Sequence, residues 1–284
     1  MTLIIVVALL IIIGFILDRE IYFYEGVHLG PRVQAWLYDR WSRKYDAGKR
    51  ESQLRDEEML ARPLLELLNA SRIPEPFILD FATGTGRLSF ALLNQPDFNG
   101  RIVALDLSQG MLEQAIGKIA GRVAEGVPRP EARIEFLRHL SLPLPFPDAA
   151  FDAVCALEVL ELFPSMDEPL AELVRVLRPG GILLTSRGTE ESGRRAKVKS
   201  KIEFTALLEW SGLVDVEIAT WWKFFDRVLA RKNGESNPAR AKTLSSVLRC
   251  GVCRQIQWGR EAGELKCQSC GKELSITKDW IVLN

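Results

Sequence analysis

The sequence lacks an excess of either charge. Lys and Arg total 37, Asp and Glu total 37, and the formal net charge of the 284-residue chain is zero. A dedicated nucleic-acid binder carries a basic excess or a basic domain, so this balance argues against nucleic acid as a partner. Internal repeats are absent too. Cysteine is almost missing before residue 250: only Cys155 occurs there, inside the apolar run FDAVCAL. In that setting it reads as a small buried hydrophobe. The length and the 47% hydrophobic content support one α/β domain with small appendages.

Charge is also missing from Thr2 to Leu17, TLIIVVALLIIIGFIL. As a helix this run spans about 24 Å at ~1.5 Å per residue, slightly short of the ~20 residues a bilayer asks for. Local thinning, or snorkelling by Asp18, Arg19 and Glu20, can make up the difference. Tyr22, Phe23 and Tyr24 follow as interfacial aromatics would. A secretory signal fits less well, because only Met1 and Thr2 precede the run and Asp-Arg-Glu follows it. The expectation is a transmembrane anchor over residues 1–20, with a buried core helix as the competing reading. Arg19, Arg32, Arg40, Arg43 and Lys44 all lie C-terminal to the run. The positive-inside rule then gives a single-pass membrane protein with its catalytic body in the cytoplasm and the lipid bilayer as a partner.

Beyond the run, residues 21–70 read as helical, through QAWLYDRWSRKYD and DEEMLARPLLELLNA, with Pro63 interrupting the second stretch. From about residue 71 short apolar runs alternate with helical stretches: PFILDF, GRLSFALLNQ, RIVALDL, SQGMLEQAIGKIA, RIEFLRHL, FDAVCALEVL, PLAELVRVL and GGILLTS. This β-α alternation predicts an α/β, doubly wound, Rossmann-like domain over residues 71–232, with a mostly parallel sheet. VDVEIAT and WKFFDRVLARK are separated by a short turn and should close it as an antiparallel pair. Residues 233–246 read as a polar linker, and residues 247–284 as a separate small module.

Chemistry enters at Asp80-Phe81-Ala82-Thr83-Gly84-Thr85-Gly86, where a strand runs into a glycine turn and a helix opens at Arg87. Such a turn brings backbone close to a ligand and presents helix N–H groups to it. Asp106 ends the next strand, where a carboxylate can accept both ribose hydroxyls of a nucleotide. Asp80, at the tip of the first strand, would repel a pyrophosphate but suits a cationic amino group. Ser89 stands where a dinucleotide fingerprint has its third glycine. These features favour S-adenosylmethionine over a dinucleotide.

LDFATGTGRL followed by ALDLSQGML resembles the first two motifs of class I S-adenosylmethionine-dependent methyltransferases. LPFPDAAFDAV, the Leu157-Glu158 region and LVRVLRPGGILL resemble the later ones. The resemblance covers about residues 45–232 and is nearest the quinone-biosynthesis and small-molecule group, which also carries a YDRWSRKYD-like entry segment. It implies that Asp80, Gly84 and Gly86, with Ala82 and Thr83 of the same turn, hold the methionine part. It implies further that Asp106 binds the ribose and that Leu107 and Met111 flank the adenine. Ala82 stands where the family usually has glycine. His139-Leu140 replace the acidic residue the family usually has near the adenine. For a general base, residue type and strand-end position leave Tyr38, Tyr45, His139, Glu158 and Glu161 as candidates, and none is singled out.

Cys250-Gly-Val-Cys253 and Cys267-Gln-Ser-Cys270 form two C-x-x-C pairs. Two such pairs at this spacing predict a four-thiolate zinc site, full at four ligands and therefore structural. Gly251 and Gly271 should help the knuckles turn. The C-terminal segment resembles the small zinc-binding methyltransferase-activator proteins, which implies a zinc-ribbon-like module that stabilises the catalytic domain or shapes substrate access. The expected acceptor is a lipid, quinone or other apolar small molecule. The competing readings are an RNA or protein methyltransferase, motivated by Arg187, Arg194, Arg195, Lys197, Lys199 and Lys201, and a non-catalytic scaffold of the same fold.

Overall fold

Phe77–Phe81 (β1), Arg101–Asp106 (β2), Ile134–Arg138 (β3) and Phe151–Ala156 (β4) are short, largely apolar runs, and they become the buried parallel strands of one sheet. Leu177–Gly188 (β5) extends the parallel set beside β4. Leu213–Trp222 (β6) and Phe225–Lys232 (β7) form the expected antiparallel hairpin, with β7 against β5. The computed structural model describes residues 2–124, 133–192, 198–239, 242–261, 263–278 and 281–284. The small module contributes Trp258–Glu261 (β8), Glu264–Cys267 (β9) and Glu273–Ser275 (β10) as a three-stranded antiparallel sheet. Ile281–Leu283 (β11) then joins the main sheet, whose order is β11-β3-β2-β1-β4-β5-β7-β6.

Side chains alternate across β1, so the sheet has two cores. Phe77, Leu79 and Phe81 pack with Leu170 and Leu173 of α6 (Asp167–Val176) and with Phe204 and Leu208 of α7 (Lys201–Trp210). Ile78 packs on the other face. Its neighbours come from α3 (Arg62–Ala70), α4 (Arg87–Leu93) and α5 (Gln109–Ala124). The chain runs outward from β1 through β2 to β3, then returns to β4 on the other side of β1. That reversal opens a crevice at the C-terminal ends of β1 and β4, where open α/β sheets bind ligands. A long helix, α2 (Pro31–Gln53), lies over α5 beside this crevice.

Three expectations need correction. The first helix, α1 (Thr2–Asp18), has 17 residues. At ~1.5 Å per residue it measures about 25 Å against a ~30 Å hydrocarbon core. No described helix is long and apolar enough to cross a membrane. Second, the stretch expected to be a free polar linker is bonded to the domain. Ala239 N–H donates to Asp152 Oδ1 at 2.8 Å, and Leu244 N–H to Glu135 Oε2 at 2.7 Å. Third, the C-terminal module is not separate. Leu244, Val247, Leu248, Leu265 and Leu274 belong to the main core, and β11 is a strand of the main sheet.

Ile281 is fully buried on the face opposite Val282. Replacing it with alanine should cost about 2–4 kcal/mol of whole-domain stability, as for other buried large-to-small changes. Urea unfolding followed by far-ultraviolet circular dichroism reads this as one shifted transition. An independent module would instead give a separate early transition.

Candidate functional site

The crevice is organised by two buried carboxylates. Asp80, at 3% exposure, is the penultimate residue of β1; Asp106, at 7%, ends β2. Asp80 Oδ2 accepts from Thr83 Oγ1 at 2.7 Å and from Ser89 Oγ at 2.6 Å. Asp106 Oδ2 accepts from Gly84 N–H and its Oδ1 from Ser108 N–H, both at 2.8 Å. Thr83 N–H reaches the Leu105 carbonyl at 3.0 Å. The glycine turn is therefore stitched to the ends of both strands. Ser108, not Asp106, caps α5, through a 3.1 Å bond from Met111 N–H to its Oγ.

The turn is left-handed at Ala82 (φ +54°), Gly84 (φ +57°) and Gly86 (φ +80°). Ala82 accepts a conformation that costs an L-residue roughly 1–2 kcal/mol. At Gly86 a Cβ would stand 2.7 Å from the Phe90 ring, so this glycine lets α4 start tight against the turn. It does not line the described cavities; its part is to shape the turn.

Two cavities meet here. The larger, about 360 Å³, is lined by Ala82, Gly84, Asp106, Leu107, Met111, His139 and Leu140, with Leu142, Leu162 and Phe163 adding an apolar wall. The smaller, about 40 Å³, is lined by Asp80, Ala82, Thr83, Gly84, Thr85 and Arg87. Every expected cofactor residue except Gly86 thus faces one of the two. Tyr45 and Glu158 line both.

Burial is the largest influence on the carboxyls. It raises Asp80 above its ordinary value, against the Ser89 and Thr83 hydroxyls. It pushes Asp106 up to about 6, with backbone N–H bonds opposing. Glu161, pushed up to about 7 by burial, is packed away from both cavities and accepts from Gly188 N–H at 2.7 Å. Tyr38, Tyr45, His139 and Glu158 face the larger cavity. Burial raises both tyrosines and lowers His139, whose Nε2 sits 3.2 Å from the Pro143 carbonyl. Of the five base candidates, Glu161 alone does not reach the crevice.

Sequence reasoning singled out Tyr38 and Tyr45 of α2 but passed over the helix's charged residues. Asp39 Oδ1 accepts from Ser108 Oγ at 2.6 Å and Gly110 N–H at 2.8 Å. A Cβ on Gly110 would meet Asp39 Cα at 3.1 Å, which is how glycine allows the two helices to touch. Asp46 Oδ1 accepts from Thr85 Oγ1 at 2.5 Å, and Asp46 Oδ2 pairs with Lys118 at 2.6 Å. Lys49 pairs with Glu158. Glu158 also takes Arg87 at 3.2 Å, and Arg87 forms a bidentate pair with Asp56 at 2.9 Å. The available signal was the spacing of Tyr38, Ser42, Tyr45, Lys49 and Ser52, a polar and aromatic stripe at helical period.

The basic stretch does not form one surface among the described residues. Arg187 is buried and bonded to Asp226 at 2.7 and 3.0 Å. Arg194, Arg195 and Lys197 lie outside the described residues.

The four C-terminal cysteines do converge. All four sulfurs lie within 4.8 Å of one another, with Cys250–Cys270 and Cys253–Cys267 each at 3.6 Å. A tetrahedral ion with ~2.3 Å metal–sulfur bonds asks for sulfurs about 3.8 Å apart. The thiols are free rather than bridged as disulfides. Two matching knuckles hold them: Arg254 N–H to Cys250 O at 2.9 Å, and Gly271 N–H to Cys267 O at 2.8 Å. The left-handed residue is Gly271 in one and Arg254 in the other, so Gly251 does not have the expected role.

Residues 79–185 match the methyltransferase domain family. A demethylmenaquinone methyltransferase of Lactococcus lactis is 27% identical over 186 residues, covering 66% of this chain and 69% of that protein. One from Thermus thermophilus is 39% identical over 107 residues, covering 38% of this chain and 44% of that protein. One from Lactobacillus johnsonii is 36% identical, covering 40% and 45%. The match thus spans less than half the length of two of these relatives. Among solved structures, an S-adenosylmethionine-dependent methyltransferase from Aquifex aeolicus aligns with a TM-score of 0.52 at 22% identity, covering 68% of this chain and 97% of that one. The [4+2]-cyclase SpnF aligns with a TM-score of 0.50 at 19% identity, covering 62% and 81%. These two likenesses concern fold alone, and the cyclase illustrates that fold does not fix reaction. Residues 79–185, which hold the ordered motif series and the paired strand-end aspartates, thus carry a methyltransferase domain.

Proposed function

We propose that the protein transfers a methyl group from S-adenosylmethionine to an apolar, quinone-type small molecule. The observation that carries this reading is the pair of buried carboxylates, Asp80 and Asp106, facing two joined cavities at the strand ends. The lining fits the cofactor. The acidic tip of β1 suits an ammonium, and the Asp106 carboxylate can accept ribose hydroxyls. Leu107 and Met111 offer apolar flanks to a base. A Cβ at Gly84 would have only Tyr45, 3.9 Å away, as a neighbour, so backbone is open to a ligand there. When bound, the sulfonium supplies an already activated methyl group. The chain's own work is then to hold the two reactants in line and exclude water, and positioning of this kind contributes on the order of 7–11 kcal/mol. The quinone-type acceptor is supported by the apolar wall and by the names of the relatives.

Two further parts belong to the proposal. We assign zinc to the Cys250, Cys253, Cys267 and Cys270 cluster on its four-sulfur spacing, as a structural ion. We also place α1 in contact with a lipid phase. Ile11 and Phe15 are 67% and 68% exposed, and a helix apolar on all sides needs an apolar environment. Seated there, on the cytoplasmic side that free thiols favour, the site would lie near a lipid-dissolved acceptor.

Calorimetric titration of S-adenosylmethionine tests the central assignment. Asp106→Asn should weaken binding about 10- to 100-fold, the loss of charge-assisted hydrogen bonds to the ribose. Unchanged affinity would overturn the ribose role. Hydroxyls donate best to the ionised carboxylate, so affinity should fall as pH drops through about 6. Stability of the free protein has the opposite sign. The folded carboxyl titrates above its unfolded value, so this group's ionisation removes stability as pH rises from about 4 to about 6. Chelation of the metal, or Cys267→Ser, should lower the melting temperature of the catalytic domain itself, because β11 belongs to the main sheet. Scanning calorimetry would refute this if it found only a separate low-temperature transition.

A further inference from the structure

A third cavity, about 250 Å³, adjoins the crevice at Tyr38, Tyr45 and Glu158. Those three residues also line the larger cavity, so the two spaces share an edge. The other sides of the chamber are aromatic, from Trp41, Trp222, Phe224 and Phe225, with Ser192 and the Glu25 carboxylate, which accepts from the Tyr38 hydroxyl, as polar members. Trp222 packs edge-on to Phe224 at 5.0 Å between ring centroids. Lys49 enters from α2, its Nζ 5.8 Å from the Tyr45 ring centre and 5.9 Å from that of Trp222.

Hydrogen-bonding capacity is left over around this chamber. Among the described residues Lys49 donates to Glu158 alone, and an ammonium carries three donors. Glu158 shares Arg87 with Asp56, so the ammonium is not its sole counter-charge. Trp222 Nε1 and Ser192 Oγ, from two other lining residues, are buried with no hydrogen-bond partner among the described residues. Buried groups in that condition are uncommon, and a polar ligand or water accounts for them.

We propose that this chamber holds the methyl acceptor as a planar aromatic ring bearing an anionic oxygen, and that Lys49 is the residue that binds that oxygen. The flat aromatic walls fit a fused ring, the ammonium selects the anion over a neutral ring, and Ser192 and Trp222 offer further donors. Use of the bound ring as a methyl acceptor rests on the proposed function; the binding of the ring does not. Lys49 lies outside the methyltransferase match at residues 79–185, on the helix that covers the crevice.

The test uses the full chain and two probes, 2-hydroxy-1,4-naphthoquinone, an anion at neutral pH, and the neutral 2,3-dimethyl-1,4-naphthoquinone. Binding is read by tryptophan fluorescence quenching, with S-adenosylhomocysteine binding measured beside it by calorimetry. The unmutated protein should prefer the anion. Lys49→Met should weaken anion binding at least about tenfold while leaving the neutral quinone and S-adenosylhomocysteine affinities in place. Lys49→Arg should restore most of the preference, and Trp222→Ala should weaken both probes. An anion preference that survives Lys49→Met, or failure of the unmutated protein to bind either probe, overturns the proposal. Failure to bind S-adenosylhomocysteine sinks the methyltransferase reading instead, and leaves the Lys49 comparison to be judged on its own arm.

Discussion

Two carboxylates buried at adjacent strand ends are the constraint on which the rest of this protein depends. An ionised carboxyl out of water is costly unless donors surround it. Asp80 finds the hydroxyls of Thr83 and Ser89, and Asp106 the backbone of Gly84 and Ser108. Those donors sit in the turns that follow β1 and β2 and, for Ser89, in the first turn of α4. Satisfying the charges therefore fixes both turns, and with them the starts of α4 and α5. The same arrangement leaves negative charge facing a cleft where a cationic, ribose-bearing cofactor would lie. Stability and recognition draw on one set of bonds.

Outside that centre, two appendages complete the domain. α2 closes over the crevice through Asp39, Asp46 and Lys49, which between them bond α5, the glycine turn and the segment after β4. The C-terminal segment forms one edge of the sheet. β11 pairs with β3, and Asn284 Nδ2 lies 3.2 Å from Nδ1 of His139, a residue of the larger cavity wall. A sulfur cluster that ends 11 residues before β11 is thereby linked to the crevice through covalent chain and sheet register. In this arrangement the proposed zinc acts on the site through β11.

The central fold was legible because its signals are local. Alternating apolar runs, a glycine turn after β1 and Asp106 at the tip of β2 each announce themselves within a few residues. The cysteine knuckles were legible for the same reason. What escaped was tertiary. Nothing in DWIVLN marks it as an eighth strand, since a three-residue run is too short for periodicity to speak. The polar composition of residues 233–246 suggests a free linker, yet a buried acceptor on Asp152 captures its backbone. Arg187 reads as part of a basic surface until Asp226, far along the chain, is seen to neutralise it. The aromatic chamber gathers residues from α2, the segment after β4 and the β6–β7 turn, so no single stretch of sequence outlines it.

The account stands or falls on the transfer itself. The most direct measurement incubates the zinc-loaded full chain with isotopically labelled S-adenosylmethionine and a demethylated naphthoquinol bearing an apolar tail, and follows the label by mass spectrometry. The account predicts a product heavier by one labelled methyl group, lost in Asp106→Asn and Lys49→Met proteins that remain folded. A folded protein that binds S-adenosylmethionine but leaves every such naphthoquinol unlabelled would contradict it.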